Sequence, residues 1–212
     1  MKATTLLIIT CFIIYPLGFQ YNELLAFSYT NFLDKHEWWT PVTAIFVHAN
    51  LGHLLGNMLF LFLFGRALEH EIGSVRLLLC FFTGGILSLL ASYFIYPHSQ
   101  PIVGASGAIC TLIGLMMIFN PWKISFLLTF FPMPLGVAGL TYILMNFLLA
   151  YKAHKGLSNG GLHTAYELHI LGFIVGILFG ILWNRNWKKN LLISVCLFIG
   201  FYVIVGGILH FL

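Results

Sequence analysis

The sequence predicts an all-α polytopic membrane protein, and three observations carry that class. Hydrophobic residues make up 60% of the 212 and charged residues 8%, where a soluble domain carries about 25% charged residues. The mean hydropathy is +0.96, so the chain lacks the polar residues to cover a water-facing surface. Apolar runs close to the ~20 residues that a membrane-spanning helix needs recur along the chain. The polar alternation of a transmembrane barrel is missing, and Leu, Ile, Phe and Gly dominate throughout.

The runs read as seven spans, at 3–19, 51–68, 77–97, 106–121, 135–151, 166–184 and 190–212. The first follows Met1-Lys2, and its core Thr4–Ile14 has the charged start and apolar body of a secretory signal. No small-x-small cleavage site follows before Tyr21, and Pro16-Leu17-Gly18-Phe19 is a poor candidate, so a retained span is expected. The segment Lys152–Leu162, with Gly156, Ser158, Asn159, Gly160 and Gly161, reads as a flexible connection after the fifth span. No second domain, long linker, low-complexity tract or internal repeat is evident.

The net charge of +4 follows the membrane rather than a nucleic acid. With the N-terminus inside, Lys2, Arg66, Arg76, Lys123, Arg185, Lys188 and Lys189 are cytoplasmic, and only Lys35, Lys152 and Lys155 lie outside. Seven against three fits the positive-inside rule. The expected setting is a multi-pass position in a bacterial cytoplasmic membrane, in contact with lipid and with no nucleic-acid partner. Trp38 and Trp39 read as interfacial aromatic belt residues. Cys11, Cys80, Cys110 and Cys196 all fall in apolar spans and read as small hydrophobes, without disulfide or zinc spacing. Nine histidines contain no His-Glu-x-x-His, and His48 and His53 are five apart, so no zinc or other metal site is expected.

Topology then sorts the polar residues by depth. The second, fourth and sixth spans all run inward from the outer face. His53 and Asn57, spaced i, i+4, share one face near the start of the second. Ser106 opens the fourth, and His169 lies about one turn into the sixth. Polar groups inside lipid are costly unless partnered, so they are functional candidates. A serine hydroxyl activated by a neutral histidine is a nucleophile for acyl transfer. The oxyanion that forms needs preorganised donors, and the His53 imidazole, the Asn57 amide and the Ser106 backbone N–H are candidates at that depth. The start of a helix also favours negative charge. No acidic third member is available: Asp34 lies in the first outer loop, Glu167 is two positions from His169 and so faces away, and Glu69 and Glu71 are at the inner end. Each residue also has a plainer reading. Ser106 serves as a helix N-cap, Asn57 as interhelical glue, and His169 as a packing histidine.

The ordered set resembles the rhomboid intramembrane serine proteases. It comprises His48-x4-His53-x3-Asn57, Glu69-x3-Gly73, Gly104-x-Ser106-Gly107 and His169-x2-Gly172-x3-Gly176. The likeness covers residues 1–185, which implies a rhomboid-like six-helix core plus one extra C-terminal transmembrane helix at 186–212. It implies Ser106 as nucleophile, His169 as base, and His53, Asn57 and the Ser106 amide as the oxyanion site. His48 would brace the first outer loop, and the seam Gly172, Gly176, Gly180 would let the sixth helix approach its neighbour. The implied activity is cleavage of single-span membrane proteins near the outer face by a Ser-His dyad, without cofactor. The Lys152–Leu162 connection would cap the site and move with the fifth helix. Four positions depart from the family pattern. Cys110 stands where many members have a tyrosine packed on the histidine, Thr40 follows Trp39 in place of arginine, and Leu168 and Leu171 flank the histidine, where bulk would widen the gap between the fourth and sixth helices. Two rival readings are a non-catalytic rhomboid-like protein that binds membrane clients and a transporter with a histidine proton relay. The second would call for mid-membrane acids or paired broken helices, and only Pro132 and Pro134 interrupt a segment.

Overall fold

Apolar patterning becomes helix at every predicted span. The computed structural model describes residues 2–125, 132–156 and 165–211, apart from the side chains of Phe19 and 207–211. Its long helices are α1 (Ala3–Gln20), α2 (Leu51–Ile72), α3 (Ser74–Ala91), α4 (Ser106–Phe119), α5 (Leu135–His154), α6 (Tyr166–Trp183) and α7 (Trp187–Phe211). Five helical segments are long and apolar enough to cross a membrane: α2, Ser74–Phe94, α5, α6 and Trp187–Gly206. This is an all-α, multi-pass integral membrane protein. The apolar helices Ala3–Gly18 and Ser106–Phe119 are shorter.

The second and third spans begin and end where local chemistry requires. Asn50 caps α2, its Oδ1 accepting the His53 N–H at 2.8 Å. The helix passes through a π-helical turn at Leu61–Gly65 and runs on to Ile72, past the expected end at 68. Gly73, at φ +81°, then separates α2 from α3 in a backbone region that glycine tolerates best. Beside that break the buried Glu69 carboxylate accepts from the Ala3 and Thr4 N–H groups at 2.7 and 3.1 Å and from the Thr4 hydroxyl at 2.7 Å. Ser74 Oγ donates to it as well, at 2.5 Å. One acid thereby satisfies orphan donors at the start of α1 and pins that helix to the α2–α3 corner.

Helix α4 is the axis of the fold, with every residue from Gly107 to Ile118 buried. Its 14 residues amount to about 21 Å of helix, against a hydrocarbon core of ~30 Å. The segment before α4 is extended and anchored: Ile102 pairs with Phe27 in an antiparallel bridge, and the Gly104 N–H donates to the Ala44 carbonyl at 2.8 Å.

Helix α6 lies against α4 with almost nothing between the backbones. A Cβ at Gly172 would collide with the Gly107 carbonyl, one at Gly176 with the Thr111 carbonyl, and one at Gly114 with the Phe173 carbonyl. Thr111 Oγ1 donates across the seam to the Gly172 carbonyl at 2.9 Å. Leu168 is buried and Leu171 packs on the core. The widening that their bulk predicted does not occur, because the glycines below them set the separation. At the far end of α4 from Ser106, Asn184 and Asn190 both donate to the Ile118 carbonyl, at 2.9 and 2.8 Å, tying the α6–α7 turn to the last turn of α4. Helix α7 also packs on α5, where Ser194 fills the space beside Gly136. Its Leu192, Ile199, Val203 and Ile204 face outward, as lipid-facing side chains do.

Candidate active site

Ser106 occupies the first helical position of α4, not its cap. The cap is Ala105, whose side chain bonds to nothing, so the N-cap reading of the serine does not describe this site. The first intrahelical bond comes from the Ile109 N–H to the Ala105 carbonyl, at 2.9 Å. The N–H groups of the first turn are therefore free of intrahelical partners and point out of the helix start, where they favour negative charge. Gly104, at φ +118°, turns the chain into the helix. A Cβ there would lie 2.7 Å from the His53 ring and 3.6 Å from Asn57 Nδ2, so only glycine lets the chain pass these two side chains.

The face of α2 behind Gly104 carries His53 and Asn57, as the i, i+4 spacing predicted. Asn57 is buried, and its Nδ2 has no hydrogen-bond partner among the described residues. An interhelical tether would show a bond there; this amide instead keeps a donor unspent beside the cavity. The Ala49 N–H makes a long contact of 3.5 Å to His53 Nδ1. That contact uses Nδ1 as acceptor and leaves Nε2–H on the side of Gly104. His48 sits in the preceding loop, where its Nδ1–H donates to the Phe46 carbonyl at 3.1 Å and its ring meets His53 edge to face, 5.1 Å between centroids. Burial first, and the His53 ring second, push the His48 imidazole down to about 4, so it is neutral at pH 7.

His169 projects from α6, one turn after the helix begins, and is buried. The residues next to the pair abut: a Cβ at Gly107 would stand 3.9 Å from the Leu168 carbonyl. His169 Nδ1 lies 2.7 Å from the Asn146 Oδ1 of α5. One helical turn before Asn146, the Tyr142 hydroxyl lies 3.5 Å from Cys110 Sγ. A tyrosine is thus present beside Cys110, supplied by α5 instead of α4. The sequence reading overlooked both residues. The signal for Asn146 was an amide midway along an apolar span, which lipid makes expensive unless something accepts or donates to it.

Ser106, His53, Asn57, Tyr142 and His169 line one partly open cavity of about 540 Å³. Glu167 faces elsewhere, accepting from the Tyr96 hydroxyl and lying 3.0 Å from His154 Nε2. Burial raises the Tyr96 phenol, helped by the Glu167 carboxylate, which keeps the donating proton in place. This cluster ties the C-terminal end of α5 and the N-terminal end of α6 to the loop after α3. Of the connection Lys152–Leu162, the part from 157 onward lies outside the described residues. Trp38 and Trp39 are exposed, and Trp39 Nε1 donates to the Leu24 carbonyl at 2.9 Å. Cys11, Cys80 and Cys110 are buried and Cys196 is exposed, all as free thiols. Among the described residues, no three His, Cys, Asp or Glu side chains gather as metal ligands.

Residues 35–186 match the Rhomboid domain family. The rhomboid YdcA of Bacillus subtilis (strain 168) is 42% identical over 81 residues, which is 38% of this chain and 41% of YdcA. Rhomboid-like protein 11, chloroplastic, of Arabidopsis thaliana is 32% identical over 138 residues, 65% of this chain and 47% of that protein. Rhomboid protease GluP of Bacillus subtilis (strain 168) is 40% identical over 100 residues, 47% of this chain and 18% of GluP. The chain covers less than half the length of each of these relatives.

Proposed function

The chain belongs to the rhomboid family, and on that premise we propose that it is an intramembrane serine endopeptidase. Its substrates are membrane proteins, cut at single spans near the outer face. Residues 1–185 form the catalytic core and 186–212 an additional helix; the N-terminus is inside and the cavity faces outward, in a bacterial cytoplasmic membrane. The observation that carries the reading is the convergence of Ser106, His53, Asn57 and His169 on one cavity beside the free N-terminus of α4.

The chemistry follows from what each group can give. His169 Nε2 takes the proton of Ser106 Oγ as that oxygen attacks the scissile carbonyl. The resulting oxyanion accepts from the Ser106 N–H, Asn57 Nδ2–H and His53 Nε2–H, groups already oriented before substrate arrives. The proton on His169 then passes to the leaving amine, and the acyl group stays on Ser106 Oγ. A water that gives its proton to His169 releases the acid and restores the serine. The short α4 supports this chemistry by holding the serine below the surface, within reach of a helix in lipid. The anchored glycine at 104 leaves room for the substrate carbonyl.

Labelling of the membrane-reconstituted protein by a fluorophosphonate tests the reading, with Ser106→Ala and His169→Ala alongside. Wild-type labelling that both variants lose is the expected result. Labelling that survives Ser106→Ala removes the nucleophile. Absent wild-type labelling, with an active rhomboid labelled in parallel, replaces the protease by a non-catalytic protein that binds membrane clients.

A further inference from the structure

We propose that Asn146 is a positioning residue for the base, the third member of a Ser-His-Asn arrangement whose last member is carried by α5. This rests on the reading of Ser106 and His169 as the reacting pair. A histidine can act as base through Nε2 only if its proton resides on Nδ1, and an acceptor on Nδ1 selects that tautomer. Asn146 Oδ1 is 2.7 Å from His169 Nδ1, and both residues are buried.

The direction of that bond is set by a second one. Asn146 Nδ2 donates to the Tyr142 carbonyl one turn back, at 2.9 Å. Turning the amide over would bring Oδ1 against that carbonyl, two acceptors face to face, and would leave both buried without a donor. The oxygen of the amide therefore faces His169, and His169 must donate. The lone pair of Nε2 is then available on the other side of the ring. An amide does this without placing a charge in an apolar interior, as a carboxylate would.

The arrangement also explains how the site dispenses with the acidic member that the sequence lacks. Hydrolases whose base is oriented by asparagine solve the same problem with the same atoms. Asn146 and Tyr142 are one turn apart on α5, so a single face of that helix meets both catalytic helices: Tyr142 at Cys110 on α4, and Asn146 at His169 on α6. The acceptor is supplied by a different helix from the base, so the tautomer depends on α5 being docked.

The decisive measurement is the His169 tautomer by ¹⁵N NMR of histidine-labelled Ser106→Ala protein, which needs no catalysis, with the resonance assigned by its loss in His169→Ala. The expected result is Nδ1–H with Nε2 unprotonated; Nε2–H in this protein overturns the proposal without any substitution at 146. Asn146→Ala and Asn146→Leu, made in the same background, are expected to shift His169 toward Nε2–H, and Asn146→Asp, which keeps an acceptor oxygen, to restore Nδ1–H. In the serine-containing protein, Ala and Leu at 146 are expected to slow fluorophosphonate labelling by at least about tenfold, below the ~10⁴-fold loss that a wrong tautomer causes in a serine protease. Asn146→Asp is expected to recover most of that rate. Variants that keep both the tautomer and the labelling rate would make Asn146 a packing residue and end the proposal. An Asn146-dependent Nδ1–H in a protein that never labels would instead remove the protease reading and leave the positioning intact.

Discussion

Where α4 meets α6, backbone touches backbone; where α5 meets either of them at the cavity, only side chains reach across. Gly114, Gly172 and Gly176 leave no room for a Cβ on the first contact, while the second is made by Tyr142 and Asn146. The difference separates two tasks. A backbone seam holds Ser106 and His169 at a separation that side-chain rotamers cannot alter. A side-chain contact holds the orientation of the ring, and it can be made and unmade by moving one helix.

Breaking the seam has the largest expected effect. Gly176→Val drives a branched side chain into the Thr111 carbonyl, an overpacking that costs about 1–3 kcal/mol or more. Thermal unfolding should show a clear loss of stability, and labelling should fall with it. Gly200→Ala is the control, since nothing lies within 4 Å of a Cβ there. It should leave both readouts unchanged, apart from the small gain in helix propensity.

Asn57→Ala comes next, with folding retained and chemistry damaged. Removing one oxyanion donor typically lowers kcat by about 10²–10³, so turnover of a membrane substrate should drop while fluorophosphonate labelling is slowed rather than abolished. A variant that turns over normally would return Asn57 to a structural role.

The side-chain contact can be sharpened by locking it. Phe60 of α2 and Tyr142 of α5 pack with ring centroids 5.8 Å apart. Cysteines at 60 and 142, bridged by a bifunctional thiol reagent in a Cys110→Ala, Cys196→Ala background, should block cleavage of a membrane substrate if α5 moves to admit it. Labelling by a small fluorophosphonate should persist to a greater extent. Cleavage undiminished by the bridge would count against access through α5.

The smallest effect is expected at the Tyr96–Glu167 contact. Tyr96→Phe removes the hydroxyl that donates to Glu167, a bond to a charged group worth ~1.5–3 kcal/mol, reduced here because Glu167 is partly exposed. The melting temperature should fall by a few degrees with labelling nearly unchanged. Because the folded phenol is raised above its ordinary value of 10, its contribution is complete below that pH and is lost as pH rises through the folded value. A melting curve of wild type against Tyr96→Phe should therefore converge only in strong alkali.

The legible part of the molecule is the part whose cause is local in the chain. Hydropathy marked each helix within a few residues, and the errors fall where a single residue decides the boundary, as at Gly73. The motif around Ser106 and the i, i+4 pair on α2 needed only helical geometry to share a layer. The N-cap reading of Ser106 did not survive, because the cap depends on where the extended segment at Ile102 and Gly104 is anchored, by Phe27 and Ala44. The effect of Leu168 and Leu171 was also misjudged from sequence. Side-chain volume near a contact does not set its width when glycines elsewhere on the same helix already have.

Class, span positions and the identity of the candidate nucleophile, base and donors came from sequence alone, because lipid penalises polar groups in proportion to depth and so makes them conspicuous. Tertiary structure decided which of those groups line one cavity, and that Asn146 meets His169 across 23 residues and a change of helix. Hydropathy and spacing act along the chain, whereas a hydrogen bond between helices depends on their rotation and separation, which close packing settles only when the whole bundle has assembled.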